Sequence, residues 1–240
     1  MQTLYKLPEY YKALIEPFVN TELEVSLLDE IFNKYEVKSV LDVACGHGRH
    51  SIALTKKGYD VIGIDYSQHQ IKKAREDVKG EGVDVNFIVS NANKFSFKKK
   101  FDAAICMWST LGEEPLKYQK VMRNVYESLE EGGIFVIDNT SWECIPENME
   151  DFIERESITE NGDKIKTKIH DRFTENFRIR NISHDIDGEK YNDLCVTHIL
   201  REGDWIEELK KAGFRDFEVY NNYGNMDVEN PHHLDIVAIK

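Results

Sequence analysis

Val40-Leu41-Asp42-Val43-Ala44-Cys45-Gly46-His47-Gly48-Arg49-His50-Ser51 decides the reading of the fold. The apolar run Val40, Leu41 and Val43 ends in a glycine-containing turn, Ala44 to Gly48, after which Ile52, Ala53 and Leu54 take helical spacing. This pattern reads as a buried strand, a tight loop and a helix N-terminus. Gly46 and Gly48 can adopt positive φ and carry no Cβ, so the backbone can approach a ligand and offer it the unpaired N–H groups of the helix start. By itself the loop admits two adenosine cofactors. GHGRHS lies close to the G-x-G-x-x-G cradle of dinucleotide enzymes, and Asp65 falls about 20 residues on, where such enzymes keep the acid that holds a ribose. A glycine turn that only packs a helix onto a sheet is a third reading of the same residues.

Beyond this loop, strand and helix alternate. Gly58 stops the first helix, Tyr59 to Asp65 reads as a second buried strand ending in an acid, and Ser67 with Gln70 caps a helix to about Val78. Val83, Val85, Phe87 and Val89 form a third strand that ends at Ser90-Asn91-Ala92. Phe101 to Met107 is a fourth, followed by Trp108-Ser109-Thr110-Leu111-Gly112. Pro115 opens a helix to about Leu129, Glu131-Gly132-Gly133 turns the chain, and Ile134 to Asp138 makes a fifth strand. Such alternation implies a doubly wound parallel sheet, whose ligands bind beyond the carboxyl ends of the strands near the switch point. Asp42, Asp65, Asn91, Met107 and Asp138 all fall at that edge.

Residues 1–20 form an aromatic arm with Tyr5, Tyr10, Tyr11 and Phe18, interrupted by Pro8 and Pro17. Its rings either pin it to a core or cover a ligand. Thr21, with Glu24 in capping-box spacing, opens a helix whose apolar face carries Leu23, Leu27, Leu28, Ile31, Phe32 and Tyr35. Between residues 139 and 200 the pattern changes. Ile165–Ile169, Phe173–Ile179 and Leu194–Ile199 alternate apolar with polar residues between turns at Asn161-Gly162-Asp163 and Asp187-Gly188, the mark of an antiparallel insertion. Asp204 with Glu207 caps a last helix to Ala212, and Phe214–Tyr220 and Leu234–Ile239 are the closing strands. The expected domains are therefore 1–138 with 201–240, carrying the lid 1–20, and the insertion 139–200.

Composition narrows the function. A chain of 240 residues with net charge −13 and a pI near 5.1 disfavours nucleic acid as a partner, and its only basic run is Lys98-Lys99-Lys100. The four cysteines, Cys45, Cys106, Cys144 and Cys195, contain no C-x-x-C pair, so no metal site and no disulfide framework is indicated. With no apolar run near the roughly 20 residues a membrane crossing needs, and no basic-then-apolar leader pattern, the expected location is cytoplasmic.

The segments VLDVACGHG, VIGIDYS, IVSNANKF, FDAAICMWST, LEEGGIFVID and DWIEELKKAGFRDFEVY together resemble the class I S-adenosylmethionine-dependent methyltransferases, in the branch that acts on small molecules. The likeness runs from about Thr21 to Asp138 and again from Gly203 to Lys240. It implies an α/β fold with a doubly wound, mostly parallel seven-stranded sheet, Rossmann-like, in which the last strand runs antiparallel, plus the small antiparallel insertion. It also implies that Ala44, Gly46 and Gly48 line the methionine end of the cofactor. Asp65 would hold the ribose, Tyr66 would pack on the adenine, Asn91 and Ala92 would meet the adenine edge, and Met107 and Trp108 would run toward the substrate. Tyr11 would enclose the cofactor and Tyr10 the acceptor, beneath a roof formed by arm and insertion. Two residues depart from the family pattern: Ala44 replaces the first loop glycine, at a position not expected to need positive φ, and Asn91 replaces an acid.

Electrostatics favours the same cofactor. A carboxylate at Asp42, four residues before the first loop glycine, suits an ammonium and a sulfonium and not a pyrophosphate. Methyl transfer is an in-line displacement in which positioning does most of the work, so no catalytic residue is assigned. His47 and His50 read as loop and helix surface residues, His198 as a strand residue, and His232-His233 as the lead into the last strand. The expected activity is methyl transfer from S-adenosyl-L-methionine to an amine or hydroxyl of a small molecule, and a homodimer is compatible with it. The fourth strand is followed by Met107-Trp108-Ser109-Thr110 in place of the Asn/Asp-Pro-Pro-aromatic run of nucleobase enzymes. The competing readings are an NAD-dependent oxidoreductase and a non-catalytic S-adenosylmethionine-binding regulatory subunit.

Overall fold

The computed structural model describes residues 3–140, 148–221 and 233–240. Its elements run α1 (Pro8–Ile15), α2 (Thr21–Lys34), β1 (Ser39–Val43), α3 (Arg49–Lys56), β2 (Asp60–Asp65), α4 (Gln68–Glu81), β3 (Asn86–Val89), β4 (Phe101–Cys106), α5 (Tyr118–Ser128) and β5 (Leu129–Thr140). There follow β6 (Glu150–Ile158), β7 (Lys164–Phe173), β8 (Phe177–Ile186), β9 (Glu189–His198), α6 (Glu202–Ala212), β10 (Asp216–Asn221) and β11 (His233–Ile239). These elements fall into two compact units, Met1–Val19 with Glu143–Ile199 and Asn20–Trp142 with Leu200–Lys240.

The larger unit is built on a seven-stranded sheet of order β10-β11-β5-β4-β1-β2-β3. Its strands are parallel except β11, which runs antiparallel to both β5 and β10. The central strands are apolar on both sides because both faces are covered. Val40, Ile105, Val136 and Val237 meet the apolar stripes of α2, α3 and α4, whereas Leu41, Val43, Phe135 and Ile137 meet α5 and α6. Strand β1 lies between β2 and β4, so the chain reverses direction across the sheet at β1/β4, the place where the carboxyl ends leave a crevice.

Several element ends differ from the sequence reading. The third strand covers only Asn86–Val89, leaving Val83 and Val85 before it. Helix α5 starts at Tyr118, three residues past Pro115, and β5 starts at Leu129 and passes through Gly132-Gly133 with a register shift against β4. Asn20, not Thr21, caps α2: its side chain accepts from the Leu23 N–H at 3.0 Å. Arg201 occupies the N-cap of α6, and Asp204 accepts from the Arg201 N–H at 3.2 Å in place of acting as the cap itself. At both caps a polar residue one to three positions along offered the same spacing signal.

The smaller unit holds the antiparallel sheet β6-β7-β8-β9. It has one strand more than the sequence reading, since Glu150–Ile158 alternates charges with half-buried residues and shows little apolar signal. The run Phe173–Ile179 is not one strand. Thr174 closes a turn onto Phe177, with the Thr174 N–H donating to the Phe177 carbonyl at 2.8 Å, and the polar run Thr174-Glu175-Asn176 separates β7 from β8. The N-terminal arm is pinned within this unit: Ala13 packs with Ile165 and Ile186, and the Thr3 N–H donates to Asp193 at 2.7 Å.

Candidate functional site

The loop after β1 carries three left-handed residues, Ala44 at φ 60°, Gly46 at 56° and Gly48 at 84°. Ala44 corrects the sequence reading, because an alanine there bears the left-handed penalty of about 1–2 kcal/mol. The Cys45 N–H donates to the Ile64 carbonyl at 3.0 Å and ties the loop to the end of β2. The two glycines serve different ends. A Cβ on Gly48 would fall 2.5 Å from the Phe87 ring, so this glycine lets α3 close onto the sheet, whereas a Cβ on Gly46 would meet nothing within 4 Å. Open space therefore stands in front of Gly46, where a ligand can approach the backbone.

Asp65 ends β2 facing this loop. One carboxylate oxygen accepts from the Gly46 N–H at 3.0 Å and the other from the Ser67 N–H at 2.7 Å, while the Ser67 hydroxyl caps α4 by accepting from the Gln70 N–H. Burial pushes the Asp65 carboxyl up to about 6, and Asp42 pushes in the same direction, against the pull of the backbone donors. Asp42 is 2% exposed and accepts from the Ser51 hydroxyl at 2.5 Å, so β1 and α3 are joined at the same rim; its carboxyl is also raised by burial.

The remaining expected residues of this unit lie at the carboxyl ends of β2, β3 and β4. Tyr66 follows Asp65 directly. Asn91 is exposed, with its side-chain oxygen accepting from the Asn93 N–H at 2.8 Å, and Ala92 is buried. Met107 is buried, and Trp108 and Ser109 are both left-handed, at φ 67° and 55°. This strained pair is held by β5: the Trp108 N–H donates to the Asp138 carboxylate at 3.0 Å, and the Ser109 N–H donates to the Asp138 carbonyl at 2.9 Å. Non-glycine residues in this region cluster at functional sites, where their surroundings enforce the geometry. Tyr10 and Tyr11 belong to the smaller unit, where the Tyr10 hydroxyl bonds Asp163 at 3.3 Å and Tyr11 meets Tyr5 edge-on.

One cluster escaped the sequence reading. Glu24 of α2 is 1% exposed and bonds both Arg49 and His50 of α3, the latter at 2.6 Å, while Arg49 also donates to the Thr21 hydroxyl at 3.0 Å. Although burial acts against it, the His50 hydrogen bond and charge, with Arg49, hold the Glu24 carboxyl down at about 2. His50 and His47 are buried, which corrects their reading as surface residues. The signal was present at Glu24, an acid at the spacing of the apolar face Leu27, Leu28, Ile31, but capping-box spacing explained it more simply. His233 opens β11, and Cys144 and His232 lie outside the described residues.

Comparison with known proteins turns this geometry into an assignment. Residues 40–133, which contain the loop, Asp65, Asn91 and Trp108, match a family described as a methyltransferase domain. A solved S-adenosylmethionine-dependent methyltransferase from Clostridium acetobutylicum shares the fold with a TM-score of 0.80 over 98% of this chain and 97% of that one, at 19% identity. The chain carries a methyltransferase domain and has the fold of the class I S-adenosylmethionine-dependent methyltransferases. Two curated relatives of the methyltransferase span most of its length. Carboxy-S-adenosyl-L-methionine synthase of Nautilia profundicola is 26% identical over 86% of this chain and 81% of its own. Glycine/sarcosine N-methyltransferase of Aphanothece halophytica is 26% identical over 90% and 83%. The assignment decides between the two adenosine cofactors in favour of S-adenosylmethionine. Among the described residues of the methyltransferase, no helix is long and apolar enough to cross a membrane.

Proposed function

We propose that the enzyme transfers the methyl group of S-adenosylmethionine to an amine of a small molecule, with the cofactor held at the carboxyl rim of β1, β2, β3 and β4. The observation that carries the site is Asp65. Its oxygens accept backbone N–H groups from Gly46 and Ser67, with Tyr66 contributing a further one, and the carboxylate's remaining acceptor capacity is open to a ribose diol. Gly46 and the open space before it suit the methionine end, Tyr66, Asn91 and Ala92 the adenine, and Met107 and Trp108 the path to the acceptor. Asp42, tied to Ser51, contributes its charge at the rim and not a direct contact.

Bound S-adenosylmethionine supplies a methyl carbon already activated by a positive sulfur. The chain's part is to hold that carbon in line with the acceptor and to exclude water. An amine acceptor needs no partner beyond the loss of its own proton, whereas a hydroxyl needs a base. His50, one of two buried imidazoles near the rim with His47, is committed to Glu24, which supports the amine reading, as does the resemblance to a glycine/sarcosine N-methyltransferase. The test is transfer from labelled S-adenosylmethionine to glycine, sarcosine, an amino sugar and hydroxyl-bearing counterparts. Turnover confined to hydroxyl acceptors would refute the amine reading, and binding of the donor without turnover on any acceptor would favour the regulatory subunit. We also infer a homodimer, supported by the exposed Phe152 and Leu194 of the four-stranded sheet; a monomer mass in size-exclusion with light scattering refutes it.

A further inference from the structure

Two buried donors stand at the rim without acceptors. The Nη2 of Arg49 and the Nε1 of Trp108 are both shielded from solvent, and neither meets an acceptor among the described residues. They belong to one stack, with the guanidinium carbon 5.6 Å from the indole ring centre. A buried N–H left unpaired is destabilising, so two on neighbouring side chains call for an external acceptor. The stack is held in place from both sides. Arg49 follows Gly48 directly, and its Nη1 is taken by Glu24 and by the Thr21 hydroxyl at 3.0 Å; Trp108 follows Met107, and its N–H is fixed by Asp138 at 3.0 Å.

We propose that Arg49 Nη2 and Trp108 Nε1 together bind a carboxylate, with Glu24 as the positioning residue that holds the guanidinium in place. The inference rests on the cofactor site proposed above and extends it. Two donors match the two oxygens of a carboxylate, whereas a neutral carbonyl offers one atom. A phosphate brings more oxygens and more charge than a guanidinium already paired with Glu24 can answer. The carboxylate comes either from the aminoacyl end of the methyl donor or from a carboxylate-bearing acceptor.

S-adenosylhomocysteine and 5′-methylthioadenosine, which lacks the amino-acid portion, are the probes for the first source. Acetate titrated into protein saturated with S-adenosylhomocysteine is the probe for the second. Each is measured by calorimetry on the full chain and on Arg49→Met. If the donor supplies the group, Arg49→Met binds S-adenosylhomocysteine at least roughly 10-fold more weakly, the loss of a charged hydrogen bond, and methylthioadenosine within about twofold of the unmodified protein. If the acceptor supplies it, both nucleosides bind as before and acetate binding is lost. Glu24→Gln moves the ratio of the two nucleoside affinities, or the acetate affinity, in the same direction by a smaller factor, whereas a purely structural role would weaken both nucleosides alike. Should Arg49→Met fail to fold, Trp108→Phe keeps the ring, removes Nε1 and must show the same discrimination. Equal weakening of both nucleosides, or no change with any probe, overturns the inference. Failure of both nucleosides to bind the unmodified protein refutes the cofactor site, and the inference falls with it.

Discussion

Replacing Asp65 by Asn separates stability from cofactor binding, because the two effects on the free protein oppose each other. At pH 7 the buried carboxylate is held against a preference for its neutral form. A rise from 3.8 to about 6, at about 1.4 kcal/mol per pH unit, makes that cost about 3 kcal/mol, which Asn removes. Asn also turns an amide NH2 toward one of the backbone N–H donors, Gly46 or Ser67, and so forfeits one hydrogen bond to a charged group, about 1.5–3 kcal/mol. The sum is near zero, and the midpoint of thermal unfolding at pH 7 should move by no more than a few degrees. Binding has no such compensation. Loss of the charged acceptor for the ribose should weaken S-adenosylhomocysteine by about 1.5–3 kcal/mol, roughly 10- to 150-fold by calorimetry. In the unmodified enzyme the affinity should be flat above pH 6 and fall about tenfold per pH unit below it, since the carboxyl must lose its proton before accepting both hydroxyls. In Asp65→Asn that slope disappears. Affinity within threefold of the unmodified enzyme, or an unchanged pH slope, would refute the assignment of Asp65 to the cofactor.

The two loop glycines should part in the same assays. Gly48→Ala drives a Cβ into Phe87 and strains a left-handed residue, for a loss of about 2–4 kcal/mol in denaturant unfolding; Gly46→Ala bears only the left-handed cost of about 1–2 kcal/mol yet weakens S-adenosylhomocysteine at least as much as it weakens the fold. Ala44→Gly, at φ 60°, should raise stability by about 1 kcal/mol, and a lower urea midpoint would contradict the left-handed geometry. Glu24→Ala leaves Arg49 and His50 buried without their carboxylate and should cost about 3–5 kcal/mol by thermal unfolding. Asp65 and Glu24 also pull stability in opposite directions with pH. The Asp65 contribution is present below about 4 and is lost as pH rises through about 6. The Glu24 contribution is present above 4.5 and is lost as pH falls toward 2. In Glu24→Gln the acid limb of the stability profile should flatten.

How far the site was legible depended on the range of the interaction involved. Asp65, Gly46 and Gly48 could be placed from local pattern because a strand end, a turn and a helix start lie within a few residues of each other in the chain. Ala44 was misjudged because its φ follows from the hydrogen bond between Cys45 and Ile64, about 20 residues away, and not from its own residue type. Glu24 was misjudged for a related reason. Its spacing from Thr21 satisfies a local cap, but its charge partners, Arg49 and His50, arrive from the next helix. In the smaller unit, alternation announced an antiparallel sheet yet did not place the turn at Thr174, because Phe173, Phe177 and Ile179 stand at even separations on either side of the polar run Thr174-Glu175-Asn176.

The amino-acid sequence by itself determined the alternating strands and helices, the acids and glycines at the strand ends and the kinship with methyltransferases, because periodicity and turn chemistry act over short spans. Tertiary structure alone decided which of those acids face donors, which histidines are buried, and that Arg49 and Trp108 stack with two donors that meet no acceptor among the described residues. Those outcomes depend on the packing of α2 and α3 against the sheet and on the capture of Trp108 by Asp138, contacts between residues 20 to 60 positions apart that no local pattern encodes.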